Sequence, residues 1–167
     1  SIGTGSLGHL AMALLAKEGK FDWTHVPYRG GGPLMQDALA GHVPLAVGSL
    51  FLVKPHVDTN GIIPLVVTTK KRTVELPNVP TVAELGYPQF ESTAWWAVFA
   101  TAKLPESITK KLRSNIESVA QSTAFKERLG NLGVQPNTDF KESLANFQTS
   151  EIAKWARVVR DSGATID

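Results

Sequence analysis

The sequence predicts an α/β fold with a parallel sheet, and three observations carry that expectation. Short apolar, extended runs alternate with helical patterns over the first half of the chain, the mark of βαβ units. Two glycine-rich segments each run straight into a helix. Beyond about residue 100 the chain changes character and becomes helical.

The elements follow in order. Leu7, Leu10, Ala11, Leu14 and Leu15 are spaced for a helix over about 6–17, with Gly19 as its stop. Residues 24–28 form a short extended run. Arg29-Gly30-Gly31-Gly32-Pro33 is a glycine loop entering a second helix, with Pro33 in its first turn and an end near Gly41. Residues 43–50 read as a buried strand and 62–69 as another. Leu76-Pro77-Asn78-Val79-Pro80-Thr81 is a rigid connection, and Thr81 caps a short helix through Leu85 that stops at Gly86.

In the second half, residues 93–101 with Trp95, Trp96, Val98 and Phe99 form the most strand-like run. A helix over 106–121 carries Ile108, Leu112, Ile116 and Val119 on one face. A short helix around Phe125 and Leu129 ends near Gly130 or Gly133. Over 139–161, Phe140, Leu144, Phe147, Ile152, Trp155 and Val159 fall within an arc of roughly 140°. Trp155 is therefore expected as a core anchor, and the change in character near 86–95 marks a boundary.

Composition narrows the function classes. The 167 residues hold 43% hydrophobic and 19% charged side chains, ordinary for a globular protein. Net charge is +2, and the longest basic run is Lys70-Lys71-Arg72, so a nucleic-acid partner is not expected. The chain has no cysteine, which removes disulfides, iron–sulfur clusters and thiolate zinc sites. His9, His25, His42 and His56 show no metal-ligand spacing. His9 reads as a capping or packing residue, and Asp37 and Glu84 as lone, solvated or structural carboxylates. No nucleophile elbow or Walker loop is present, so no catalytic residue is marked locally, and any acid–base pair would have to be assembled by folding.

What the sequence does offer is two glycine loops at helix N-termini, Gly3-Thr4-Gly5-Ser6 and Tyr28-Arg29-Gly30-Gly31-Gly32. The opening turns of helices present unpaired N–H groups and a partial positive charge. Glycine lets a ligand approach that backbone, and Thr4, Ser6, Tyr28 and Arg29 add side-chain donors. The arrangement suits a small anion, above all a carboxylate; the plain alternative is two tight connections. Gly3, Gly5 and Gly8 also satisfy the G-x-G-x-x-G spacing, but only two residues stand ahead of Gly3 where a strand should be. An acidic partner is wanted about 20 positions on. Tyr28 and Arg29 occupy that place, which leaves an NADP-binding oxidoreductase fragment as a rival and a ligand-free interaction module as a third reading.

At Val26-Pro27-Tyr28-Arg29-Gly30-Gly31-Gly32-Pro33 a specific pattern emerges. With the Ser1-to-Leu10 opening, Asp37-Ala-Leu-Ala-Gly41, and the long run Lys71-Arg72…Leu76-Pro77-Asn78-Val79-Pro80-Thr81-Val82-Ala83-Glu84-Leu85-Gly86-Tyr87-Pro88, the chain resembles the Bug family. These are periplasmic solute receptors of tripartite tricarboxylate transporters. Trp95, Phe99-Ala100, Leu104-Pro105 and Leu129-Gly130…Leu132-Gly133 continue the match.

The resemblance implies a periplasmic-binding-protein-like receptor of two α/β domains, without enzyme activity. Residues 1–90 would form most of the second, ligand-cleft domain and 91–167 the C-terminal part of the first. It implies a small organic acid or amino acid ligand, delivery to membrane permease subunits, and a chain truncated at its N-terminus. By the same resemblance Ser1, Gly3, Thr4, Gly5 and Ser6 receive the ligand, Tyr28 and Gly30 neighbour it, and Ser49 reaches the cleft from a strand end. Gly48 and Pro44 stand where the family often has Asp, which leaves ligand identity open. Truncation would leave apolar surface on the last helices and on Trp95 and Trp96, favouring a homodimer, and would make binding by this chain alone weak or absent.

Overall fold

A computed structural model describes residues 1–136 and 144–164 of the chain. Its helices are α1 (Leu7–Gly19), α2 (Gly31–Leu39), α3 (Leu50–Asp58), α4 (Glu106–Gln121), α5 (Thr123–Gly130) and α6 (Leu144–Ser162). Phe140 and the expected start of the last helix lie outside the described residues.

Local chemistry sets the helix ends. Ser6 is extended and its Oγ accepts the His9 N–H at 3.4 Å, fixing the start of α1. The expected stop at Gly19 is displaced by one residue. Lys20 takes the left-handed conformation (φ 53°) and its N–H closes on the Ala16 carbonyl. At α2 the N-cap is Gly30 (φ 105°), a conformation that a side chain would strain. The expected helix after Thr81 is only a turn. It is closed by a reciprocal box in which Thr81 N–H donates to Glu84 Oε2 at 2.8 Å and Glu84 N–H to Thr81 Oγ1 at 3.1 Å. The Thr81 N–H, and then Arg72, hold the Glu84 carboxyl below its usual range.

The extended runs depart further from expectation. Among the described residues they form no laddered sheet; the single bridge is parallel, Val67 with Thr81. Residues 66–68 lie between two neighbours through Val67 N–H to Pro80 O (2.9 Å), Val82 N–H to Val67 O (3.0 Å) and Ser92 N–H to Thr68 O (2.9 Å). Residues 1–2 run beside 26–30, with Tyr28 N–H donating to Ser1 O and Gly30 N–H to Ile2 O. The 43–49 segment is half-buried or exposed rather than buried, and Leu50 opens α3 instead of ending a strand.

The core explains why these pieces hold. Ala11 of α1 packs with Val82 and Phe90, and Leu14, Leu15, Val66 and Tyr87 close around them. Leu34 and Met35 bury the inner face of α2. α6 lies along α1, burying Val158 and tying Asp161 to Lys17. By contrast the apolar face of α4 is open, with Ile108, Leu112, Ile116 and Val119 42–54% exposed. Trp96, Val98 and Phe99 are open as well, so the apolar surface expected on the later helices and the tryptophan segment is present.

Candidate functional site

Close approaches at three glycines link the starts of α1, α2 and α3. Gly3 passes under the Tyr28 carbonyl: a Cβ there would lie 3.5 Å from that oxygen. Gly8, in the first turn of α1, packs so close to the 43–49 segment that a Cβ would stand 3.0 Å from the Val47 carbonyl oxygen. Gly31, the first residue of α2, meets Leu52 in the first turn of α3. The starts of α1, α2 and α3 therefore converge, and each brings opening N–H groups without intrahelical acceptors and the positive end of a dipole. Unpaired N–H groups and dipole ends of this kind are what anion sites at helix N-termini are built from.

The residues singled out in the sequence fall within this arrangement in different ways. Ser1 Oγ donates to the Gly3 carbonyl at 3.0 Å and lies 2.7 Å from His25 Nε2; Ser6 Oγ lies 3.2 Å from Ser1 Oγ. Gly5 holds a left-handed turn (φ 74°) and its N–H donates to His9 Nδ1 at 3.0 Å. Thr4 is exposed at the loop's tip. Gly30 caps α2, and Ser49 caps α3 without a side-chain bond to that helix. Tyr28 is half-buried, and its hydroxyl donates to Asp37 Oδ2 at 2.7 Å.

Asp37 is thus not a lone carboxylate. It takes the Tyr28 hydroxyl and lies 3.1 Å from His42 Nδ1. Those hydrogen bonds, Tyr28's first, lower its carboxyl's affinity for protons, and the same bond raises the Tyr28 phenol. His9 is a packing and capping residue, as its position predicts, but it belongs to a stack that the sequence does not reveal. Its ring lies 4.0 Å from that of His25 at an interplanar angle of 8°, and Trp23 leans on both at 5.8 and 5.4 Å. Burial is the main force lowering both imidazoles, with His25 brought to about 4.

A groove of about 360 Å³ opens beside the glycine loop, with Gly5, Leu7 and Leu10 on one wall and Trp95, Trp96, Glu151 and Trp155 on the other. Trp155 thus lines a groove rather than anchoring the core; its Nε1–H donates to Glu151 Oε2 at 3.1 Å. Burial works to raise Glu151, and hydrogen bonds from Lys154, Trp155 and Trp95 outweigh it, so its carboxyl stays ionised below the usual range. A second groove of about 380 Å³ lies at the far end of α1 beside Lys17 and Lys20, away from any helix start. Among the described residues no cluster of three or more potential ligands could hold a metal ion, and no helix is long and apolar enough to cross a membrane.

Comparison with known proteins adds an independent line. The profile of a family described as tripartite tricarboxylate transporter family receptor matches residues 1–164. Protein BugT of Bordetella pertussis is 32% identical over 162 residues, 97% of this chain and 50% of its own. A solved R. palustris structure with adipate superposes with a TM-score of 0.85 at 32% identity, covering 96% of this chain and 54% of that one. MatC from Rhodopseudomonas palustris, solved with bound malate, gives a TM-score of 0.79 at 29% identity, covering 93% and 54%. The chain therefore spans about half the length of these relatives, and its α/β architecture is that of part of a periplasmic-binding-protein-type receptor.

Proposed function

The chain belongs to the tripartite tricarboxylate transporter receptor family, and from that premise we propose that it captures a small carboxylate where α1, α2 and α3 begin. The observation that carries this reading is the convergence of those three helix starts around Gly3, Gly8, Gly30 and Gly31. In it, the loop of Ser1, Gly3, Thr4, Gly5 and Ser6 supplies backbone and hydroxyl donors. Gly30 allows close approach at α2, and Ser49, whose hydroxyl is not spent on its own helix, faces the ligand from α3. Tyr28 borders the site, its ring fixed by Asp37.

Adipate and malate in the two superposed structures favour a dicarboxylate. Catalytic chemistry and a cofactor have no part in this reading. Residues 1–90 act as the ligand-cleft domain and 91–167 as part of the other, and the receptor works in the periplasm with permease subunits. The open apolar faces of α4 and residues 96–99 favour a second copy of the chain as partner, which sedimentation at rising concentration tests.

Isothermal titration with succinate, malate and adipate tests the site. Ser6→Ala removes one donor and one N-cap, and Gly5→Val forces a β-branched residue into φ 74°. Both are expected to weaken a measurable dicarboxylate affinity at least about tenfold, the equivalent of about 1.4 kcal/mol. Unchanged affinity in both variants, or stabilisation by NADPH in place of dicarboxylates, contradicts the reading.

A further inference from the structure

The glycine loop does not rest on apolar packing alone; it hangs on two stacked histidines. In an ordinary capping box the third helical residue is Glu or Gln and reaches back to the start of the helix. Here that residue is His9. Its N–H donates to Ser6 Oγ, and its Nδ1 accepts the Gly5 N–H at 3.0 Å. Accepting at Nδ1 places the proton of a neutral His9 on Nε2. His25, stacked on His9 at 4.0 Å, holds the other end of the loop through Ser1 Oγ at 2.7 Å. Ser1 in turn touches Gly3 and Ser6. Every loop residue placed at the cradle except the exposed Thr4 is thus bonded directly, or through one hydroxyl, to this pair.

We propose that His9 and His25 are positioning residues that latch the anion-binding loop while both imidazoles are neutral, and that protonation of His9 against its stacked partner releases it. His25, whose Nε2 donates to Ser1 Oγ because that hydroxyl gives its proton to the Gly3 carbonyl, keeps its own bond when charged. The proposal rests on the carboxylate reading above. Protonated at Nδ1, His9 faces the Gly5 N–H donor to donor, and Gly5 loses its acceptor. Two imidazolium rings 4.0 Å apart also repel, and a cation at the first turn of α1 opposes the helix dipole. The groups that face the pair are the two rings themselves, the Ser1 amino group, whose charge acts on both, and the uncharged Trp23 ring. His9 is 7% exposed, so water cannot replace the lost partners without opening the loop. The consequence is a site that lets its carboxylate go in acid by losing its own shape.

The experiment uses the 167-residue chain and its His9→Asn/His25→Gln variant, whose amides can accept from Gly5 as His9 Nδ1 does and donate to Ser1 Oγ as His25 Nε2 does, and cannot titrate. Succinate affinity is measured from pH 7.5 downward, and the Gly5 amide and both imidazoles are followed by NMR in the ligand-free protein. The wild-type affinity, divided by that of the variant at the same pH to cancel protonation of succinate, should fall about twofold at the His9 midpoint read by NMR and further below it. The Gly5 amide should shift with that same midpoint. A Gly5 amide that ignores the imidazole titration overturns the latch, as does a pH profile shared by wild type and variant. If wild type fails to bind succinate at pH 7.5 while Gly5 still follows the imidazoles, the carboxylate reading fails and the latch stands.

Discussion

Replacing Gly8 with alanine probes the contact that brings α1 against the third helix start. Gly8 occupies the first turn of α1, where alanine in open space gains up to about 1 kcal/mol over glycine. Here the new Cβ would lie 3.0 Å from the Val47 carbonyl oxygen and 3.3 Å from Val47 Cγ1. That oxygen is backbone, so the main chain at Val47, two residues before Ser49, must give by a few tenths of an ångström. Overpacking of this kind costs about 1–3 kcal/mol, which leaves a net loss of about 0–2 kcal/mol. Gly32→Ala is the matched control: it sits in the first turn of α2 with nothing within 4 Å of the added carbon. The two variants should differ by about 1–3 kcal/mol, or about 2–12 °C in Tm for a chain of this size. Calorimetric scans of both variants read the difference, and succinate titration of Gly8→Ala should show weakened binding. If Gly8→Ala rises in Tm alongside Gly32→Ala and binds normally, the reasoning that joins α1 to the 43–49 segment is refuted.

Phe90→Ala empties the centre of the core that Ala11 and Val82 share, and should cost about 3–5 kcal/mol in chemical denaturation; a loss under about 1 kcal/mol contradicts that core. Asp37→Asn replaces the charged acceptor that raises the Tyr28 phenol with a neutral amide, so ultraviolet titration should find the Tyr28 phenolate forming at lower pH than in wild type. Acid stability follows from His25. Its folded pKa of about 4 lies below the ordinary value near 6.5, so the unfolded chain binds the proton more readily. Stability is then complete above about pH 6.5 and is lost as pH falls from there through 4, by up to about 3 kcal/mol. His25→Gln should flatten that limb in denaturation curves taken between pH 7 and 4; an unaltered limb assigns the loss to other groups.

Much of the helical framework is legible in the sequence. The apolar spacing of 106–121 gives α4 to its ends, and Ser6, Gly30 and Thr81 mark where helices or turns begin. α3 escapes because Pro55 sits inside it and its nine residues mix β-branched and aromatic side chains with no clear period. Without it, only two of the three converging helix starts can be seen. The extended runs are legible as extended, but period-two patterning cannot say whether a neighbour is at hand to pair with, and among the described residues only Val67 and Thr81 form a bridge. The His9–His25 stack spans 16 positions of loop and helix and carries no local signature. Asp37 looks solvated until folding brings the Tyr28 hydroxyl and His42 to it. The two glycine loops are where sequence reasoning reaches furthest, because the physics of a helix N-terminus is local.

The convergence of three helix starts on one carboxylate is tested most directly by amide chemical shifts during a succinate titration. The account predicts that Leu7 and Gly8 of α1, Gly31 and Gly32 of α2, and Leu50 and Phe51 of α3 move together along a single binding curve. Shifts confined to one helix start, or centred on the groove beside Lys17 and Lys20, contradict it.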